Sequence, residues 1–339
     1  MKQYLLPANR PFYKANLHAH TTVSDGRLSP EELKRLYRGL GYDILAITDH
    51  EVMLDHTHLS EPSFLFLKGY EIGTNPANPT QKTCHIGLLA KRADTDAQIC
   101  FDPARVWGNA RNYLPLVKYR GRICQTDFSP RTVNYILKEA AAHGFFAILN
   151  HPFWSRQTEQ DYLAYEGFAG LEVYNHLSRQ NGTADEGSFV LDRMLAEGKH
   201  PLPIAADDNH NEFSADSPYS DAGGGFTMIC APSLSYAEVM GALERGDAYA
   251  STGPQITELF VEDGQLVLRC SAVRDIACLT DRRPRWARLC AEGGEGLTGA
   301  RFPLPDEYAY VRVELTDHAG RRAFSRAYTK NEIDGSDHL

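Results

Sequence analysis

Seven short apolar runs, most of them ending beside a histidine, an acid or an asparagine, dominate residues 1–250. They are "YKANLH" (13–18), "DILAIT" (43–48), "FLFLKGYE" (64–71), "HIGLLA" (85–90), "FFAILN" (145–150), "GLEVYN" (170–175) and "PLPIAA" (201–206). Unbroken apolarity, in place of strict alternation, suits strands covered on both faces. Helical patterns with legible ends lie between them. In "SPEELKRLYRGLG", Ser29 predicts an N-cap, Pro30 the first helical position and Glu32 a capping box. Leu33, Leu36, Tyr37 and Leu40 then share one face, and Gly41 supplies a stop. The same grammar recurs from Ser129 to Gly144 and from Ser235 to Gly246. Strand and helix in alternation predict an α/β fold with a largely parallel sheet, open or closed into a barrel.

Two regions depart from this rhythm. Residues 91–128 read as an insertion with a helix, lying at a site mouth or on the outside. After "STGPQ" (251–255), "ITELFVEDGQLVLRCSA" forms two alternating stretches around Asp263-Gly264, a hairpin signal. "YAYVRVELTDHAGRRAFSRAYT" alternates too, with Val311, Val313 and Leu315 on one face and Arg312 and Glu314 on the other. The expected organisation is an α/β domain over 1–255, a small antiparallel, sandwich-like β domain over 256–330 and a tail over 331–339.

A chain of 339 residues can carry a large core and a second, smaller one. Its 35 Lys and Arg against 44 Asp and Glu, net −9, argue against a nucleic-acid coat or a binder of anionic membranes. A phosphate substrate stays compatible, because bound cations reverse the local sign. The seven cysteines, including Cys124, contain no Cys-x-x-Cys pair and predict free thiols in a reducing compartment. The N-terminal stretch has no signal-peptide pattern, and no run nears the roughly 18 apolar residues of a membrane span. A cytoplasmic location is expected.

Parallel α/β folds place ligands at the carboxyl ends of their strands. Here those ends carry His18 and His20, Asp49 and His50, Glu71, His151, Asn175 and His176, and Asp207, Asp208 and His210, while His85 opens its run. His18 and His20, two apart on extended chain, share a face and can chelate one cation. Asp25, on a Ser-Asp-Gly turn, can reach the same cavity. Singly, each has an ordinary explanation as a hydrogen-bonded strand end, a turn or a cap. Together they form an ordered set that predicts a multinuclear metal site. Nitrogen and oxygen donors without thiolates suit zinc, manganese or iron.

This ordered set resembles the PHP family, the polymerase and histidinol phosphatase domain, over about residues 12–255. The motifs are "HAH" (18–20) with "SDG" (24–26), "TDH" (48–50), "GYEIG" (69–73), His85, "NHP" (150–152) and "DDNH" (207–210). The resemblance implies a distorted barrel of about seven β/α units, a (β/α)7 PHP-type barrel, with roughly two or three divalent metal ions at its C-terminal rim. It implies that His18, His20, Glu71 and Asp208 hold one metal. Glu71 would bridge to a second held by His85 and His151, and Asp25, His50 and His210 would hold a third. Some branches of the family carry His where this chain has Asp25; the Asp is similar to the branch of small phosphatases acting on nucleotides. Asp208 fits the Asp-x-His spacing better than Asp207, and Asp49 is expected to orient a ligand histidine.

Metals that share Glu71 can share a water, whose lowered pKa yields a bridging hydroxide for in-line attack on phosphorus. The expected activity is therefore that of a hydrolase, a metal-dependent phosphoesterase acting on a small organic phosphate or nucleotide monoester. His18, His20, Glu71, Asp208 and His210 would carry the catalysis. Arg179, in "YNHLSRQNG", and His176 are the substrate-binding candidates, with Lys82 and Arg111 behind them. Loops 75–83, 101–128 and 176–188 would shape the pocket for the organic part. The expected partner is a small phosphorylated molecule, with neither a long nucleic acid nor a membrane. The alternatives are a phosphodiesterase acting on a cyclic or short oligonucleotide substrate, an amide hydrolase, or a non-catalytic metal-binding scaffold.

Overall fold

A computed structural model describes residues 2–74, 82–121, 127–183, 187–283, 286–290 and 294–335. Cys124, parts of loops 75–83, 101–128 and 176–188 and the end of the tail lie outside the described residues. The seven apolar runs become strands β1 (Phe12–Asn16), β2 (Ile44–Ile47), β3 (Leu65–Gly73), β4 (His85–Ala90), β5 (Phe145–Asn150), β6 (Gly170–Asn175) and β7 (Leu202–Ala206). Two more, β8 (Phe226–Cys230) and β9 (Ala248–Ser251), complete this part of the sheet. Its order is β7-β6-β5-β4-β3-β2-β1-β8-β9.

The sheet is mixed where a largely parallel one was expected. β1, β2 and β3 run parallel, as do β5, β6 and β7. β4 lies antiparallel between β3 and β5, with Gly73 opposite His85 and His85 opposite Asn150. That reversal brings the first residue of β4 to the rim where β1, β2, β3, β5, β6 and β7 finish. Across the curl, Thr227 Oγ1 of β8 donates to the Ala205 carbonyl of β7 (3.1 Å), and the segments after β7 and β1 meet at this rim. Ala19 bridges Asn209, the His20 amide donates to the Asn209 carbonyl (3.1 Å), and the Asp208 amide donates to the His18 carbonyl (3.0 Å). No continuous ladder joins β7 to β1 among the described residues, so a closed barrel is not seen.

Every residue of β2, β3, β4 and β5 is buried, because both faces are covered. Successive residues feed different clusters: Ile44, Ala46, Phe146 and Ile148 join one, Leu45 and Ile47 a second, Phe145, Ala147 and Leu149 a third. Helix Pro30–Gly39 has the expected capping box, with the Ser29 amide donating to Glu32 Oε2 (2.9 Å) and the Glu32 amide to Ser29 Oγ (3.3 Å). Helices Pro130–Ala142 and Tyr236–Arg245 start after Ser129 and Ser235 as read from the sequence. The 91–128 segment holds a 3-10 helix, Gly108–Leu116.

Beyond residue 255 come β10 (Ile256–Glu262), β11 (Gln265–Val273), β12 (Asp275–Thr280), β13 (Trp286–Cys290), β14 (Leu297–Pro303), β15 (Tyr310–Thr316) and β16 (Arg322–Ser325). The hairpin β10–β11 turns at Asp263 (φ 51°) and Gly264 (φ 72°), the pair of positive angles that a two-residue turn needs. β10, β11 and β14 form a four-stranded sheet with the N-terminal strand Gln3–Tyr4. β16, β15, β12 and β13 extend the large sheet outward from β9. Leu259, Leu268, Val311, Val313 and Leu315 share one core with Leu5 and Leu6.

The opposite face of β15 is not left to solvent. Arg312 is buried and donates to Asp192 Oδ1 from Nη2 (2.7 Å) and to Glu314 Oε1 from Nη1 (2.5 Å). Asp192 belongs to helix Ser188–Ala196, so this ion pair ties the C-terminal strands to the α/β part. Among the described residues no helix is long and apolar enough to cross a membrane.

Candidate metal centre

The rim gathers nine donor side chains: His18, His20, Asp25, His50, Glu71, His85, His151, Asp208 and His210. Glu71, fully buried near the end of β3, stands among five imidazoles. Its Oε1 lies 3.3 Å from His18 Nε2, 3.3 Å from His85 Nδ1 and 3.4 Å from His151 Nε2; its Oε2 lies 3.0 Å from His50 Nδ1 and 3.7 Å from His20 Nε2. Asn150, last in β5, donates to Oε1 (2.8 Å) and fixes the carboxylate. Asp208 Oδ1 lies 3.1 Å from His18 Nε2 and 3.0 Å from His20 Nε2. Asp25 Oδ2 lies 3.3 Å from His210 Nε2 and 3.7 Å from His50 Nε2.

These atoms fall into four overlapping groups within ligand reach of a common point. They are His18–His20–Glu71, His18–His151–Asp208, His50–Glu71–His85 and His20–Asp25–His50–His210. Relative to the sets implied by the resemblance, His20 also joins the Asp25 group, and His50 also faces Glu71. His18 and His20 point Nε2 at Nε2 across 3.1 Å. With its proton on Nδ1 toward Glu172, a neutral His18 sets its Nε2 lone pair against the Asp208 oxygen at 3.1 Å. His20 Nδ1 is buried with no hydrogen-bond partner among the described residues. A cation in this cluster resolves both conflicts, and the nitrogen and oxygen donors fit a divalent one.

Backbone geometry serves the same cluster. His151 (φ 26°) and Asp208 (φ 54°) hold left-handed conformations, a strain of about 1–3 kcal/mol each that functional sites tend to store. Gly26 follows Asp25 because a Cβ there would lie 2.4 Å from the His20 carbonyl oxygen. Its amide donates to the Thr21 carbonyl (2.9 Å), folding the Ser-Asp-Gly loop onto the histidines.

Charge in the cluster is tightly balanced. Burial would depress His18, but Asp208, Glu172 and Glu71 push its pKa well above the ordinary value. Burial likewise opposes His151 and His210, yet Glu71 and Asp208 around the first and Asp25 and Asp208 around the second raise each to about 9. Burial and the neighbouring His210 and His50 drive His20 down to about 4. Burial resists ionisation of Glu71, but His85, His18 and His151 hold it well below the carboxylate range. The carboxylates therefore demand positive charge, which protons on imidazoles or divalent cations can supply.

Several residues that orient the donors were not singled out from the sequence. Glu172, buried within β6, sets Oε1 2.7 Å from His18 Nδ1, while its Oε2 accepts from the His151 amide (2.9 Å) and Asn175 Nδ2 (2.9 Å). The one visible signal is an acid inside the otherwise apolar "GLEVYN". Asp207 is no donor to the cluster: it accepts from Tyr37 OH (2.8 Å) and from the amides of Gly223, Gly224 and Gly225. Asp49 holds the loop and not a histidine, accepting from Thr21 N, Thr21 Oγ1 and Ser24 Oγ.

The donors open into a cavity of about 430 Å³ that also exposes Trp107, Trp154, Arg156, Leu177, Ser178 and Asn181. Arg179 and His176, expected at the substrate, lie elsewhere. Both line a separate cavity of about 380 Å³ with Arg321 and Arg322, where helix His176–Gln180 meets the C-terminal strands. His176 is held by Tyr174 OH (2.9 Å) and the Ser220 carbonyl (3.1 Å). Residues 176 and 179 share one face of this short helix, and Leu177, Ser178 and Asn181 the other. Lys82 is paired with Asp161 (2.7 Å), and Arg111 donates to the Val106 carbonyl (2.8 Å).

No family model matches the chain. A 66-residue stretch is 38% identical to a 5'-3' exoribonuclease of Haemophilus influenzae, matching 18% of this chain and 24% of that protein. The chain thus spans about a quarter of that relative's length. Among solved structures, it is similar to a two-domain Bacteroides vulgatus protein containing a predicted PHP-like metal-dependent phosphoesterase. That likeness covers 96% of this chain and 98% of the other at 14% identity, with a TM-score of 0.43. It is also similar to an amidohydrolase of Chromobacterium violaceum with bound sulfate and no metal, over 58% of this chain and 87% of the other, at 20% identity and a TM-score of 0.38. The structural neighbours of this chain thus include a protein containing a predicted PHP-like metal-dependent phosphoesterase.

Proposed function

We propose that this protein is a metal-dependent phosphoesterase that hydrolyses a small organic phosphate monoester, and that its curled sheet is a PHP-type barrel. The observation that carries the reading is Glu71, one buried carboxylate among five imidazoles, with Asp208 and Asp25 completing the donor groups on either side. His18, His20, Glu71 and Asp208 would hold one cation, His85 and His151 with Glu71 a second, and Asp25, His50 and His210 a third. When bound, such cations acidify water toward neutral pH and neutralise phosphoryl oxygens.

The chain's own residues do the rest. Glu172 and Asn150 orient His18 and Glu71 so that their lone pairs face the cluster. Arg156, at the cavity mouth, can clamp a non-bridging phosphoryl oxygen, the role first expected of Arg179. The Asp208 carbonyl holds His210 Nδ1 (2.9 Å), so that Nε2 faces Asp25 and would offer its lone pair to a cation. Trp107 and Leu177 limit water at the entrance.

The likeness to an exoribonuclease makes diesters the second reading. The test is release of inorganic phosphate by the metal-loaded protein from a panel of monoesters, diesters and amides. His20→Ala and Glu71→Ala should each abolish monoester turnover while far-UV circular dichroism stays unchanged. Turnover of diesters alone would favour the second reading. Wild-type rates in either variant would overturn the proposal.

A further inference from the structure

Two of the chain's three tryptophans stand in the wall of the metal cavity. Trp107 is 44% exposed and Trp154 43% exposed, in a wall that otherwise consists mostly of polar donors. Each lays its indole against candidate metal ligands. Trp107 lies 5.3 Å from the His50 ring, and Trp154 lies 4.9 Å from His151 and 5.5 Å from His85, centroid to centroid. They flank the cluster on the His50 side and on the His85–His151 side.

Both indoles are held in place by buried neighbours. Val106 and Ala110, on either side of Trp107, are buried in a satellite core with Val23, Val52 and Phe101. That core docks the 98–117 segment onto the loops after β1 and β2. Ser155, next to Trp154, is buried, with Oγ 3.1 Å from His151 Nδ1 and its amide donating to the His151 carbonyl (3.1 Å). A large apolar ring fixed by its backbone and left facing a cavity is a binding surface that needs little reorganisation. Indole faces favour flat π-systems, and such stacking tolerates variation in ring chemistry.

We propose that the organic part of the substrate carries a flat aromatic or heteroaromatic ring, bound against Trp107 and Trp154 while its phosphate reaches the donor cluster. The two tryptophans are thus specificity-determining residues. This rests on the phosphoesterase reading but adds the class of organic group.

The test uses the metal-loaded full chain. Phenylphosphonate and methylphosphonate, which turnover does not consume, are titrated by calorimetry and by tryptophan fluorescence. Phenylphosphonate should bind about tenfold more tightly and change the emission, as expected for one stacked ring. For turnover, the ratio of KM for ethyl phosphate to KM for phenyl phosphate should fall about tenfold in Trp107→Ala or Trp154→Ala. Phenylalanine at the same position should restore most of it. A merely structural role in covering the histidines would change both substrates together and leave this ratio fixed. Equal binding of the two phosphonates, or a ratio unmoved in both variants, overturns the inference even if phosphate is released. Ring-selective binding without turnover of any ester supports the inference and counts against the phosphoesterase reading instead.

Discussion

Replacing Glu172 with glutamine tests the least visible part of the site. The carboxylate does three jobs: Oε1 faces His18 Nδ1 at 2.7 Å, and Oε2 accepts from the His151 amide and from Asn175 Nδ2, both at 2.9 Å. Both oxygens act as acceptors, with Nδ1 of His18 carrying the proton so that Nε2 is free to face Glu71, Asp208 and a cation. Glutamine has the same shape but only one acceptor. If its oxygen faces His18, its NH2 meets two donors; if it is flipped, the NH2 meets Nδ1 and forces the proton onto Nε2, where a ligand lone pair is needed. Either way the ligand set is weakened, by about 10- to 100-fold in metal affinity or about 1.4–2.8 kcal/mol. The assay is competition for Zn²⁺ or Mn²⁺ against a chromophoric chelator, with far-UV circular dichroism confirming the fold. Affinity within threefold of wild type would refute the assignment of Glu172 as the group that orients His18.

Two further predictions concern charge and packing. Because His151 and His210 are each raised to about 9, both are protonated at pH 7.5 in the metal-free protein, and loading should release at least about two protons per chain, read by calorimetry in buffers of different ionisation enthalpy. Release of none would mean that these imidazoles do not ligate. Arg312→Leu removes the buried cation that Asp192 and Glu314 share, and should cost about 3 kcal/mol by urea unfolding, the low end for a broken buried pair because both acids keep some solvent contact. A loss under about 0.5 kcal/mol would place that ion pair with surface pairs.

The strands were legible because two-sided burial writes itself as unbroken apolar runs, and the helices because Ser-Pro caps and terminal glycines mark their ends. β8 and β9 were not read. "FTMIC" follows three glycines and "AYAS" is only four residues long with three of them small, so neither stands out from a loop. The reversal of β4 was visible only in hindsight, as the one run with its histidine at the start. Pairing of Gln3–Tyr4 with β10 joins residues more than 250 apart in sequence, which local pattern does not encode. The donors could be found because metal chemistry demands particular residue types at strand ends. Arg179 and His176 were misplaced because a five-residue helix presents two faces, and sequence proximity to the rim does not say which one turns inward. Trp107, Trp154 and Arg156 reach the cavity from irregular segments whose path depends on packing remote in sequence.

The central claim is that the histidine–carboxylate rim holds divalent cations and uses them on phosphate monoesters. Elemental analysis of the purified chain, run beside a monoester phosphate-release assay before and after chelation, tests it most directly. The expected result is about two or three Zn, Mn or Fe ions per chain, with turnover lost on chelation and restored on repletion. A chain that binds no metal, or one that releases phosphate at the same rate after complete chelation, would contradict it.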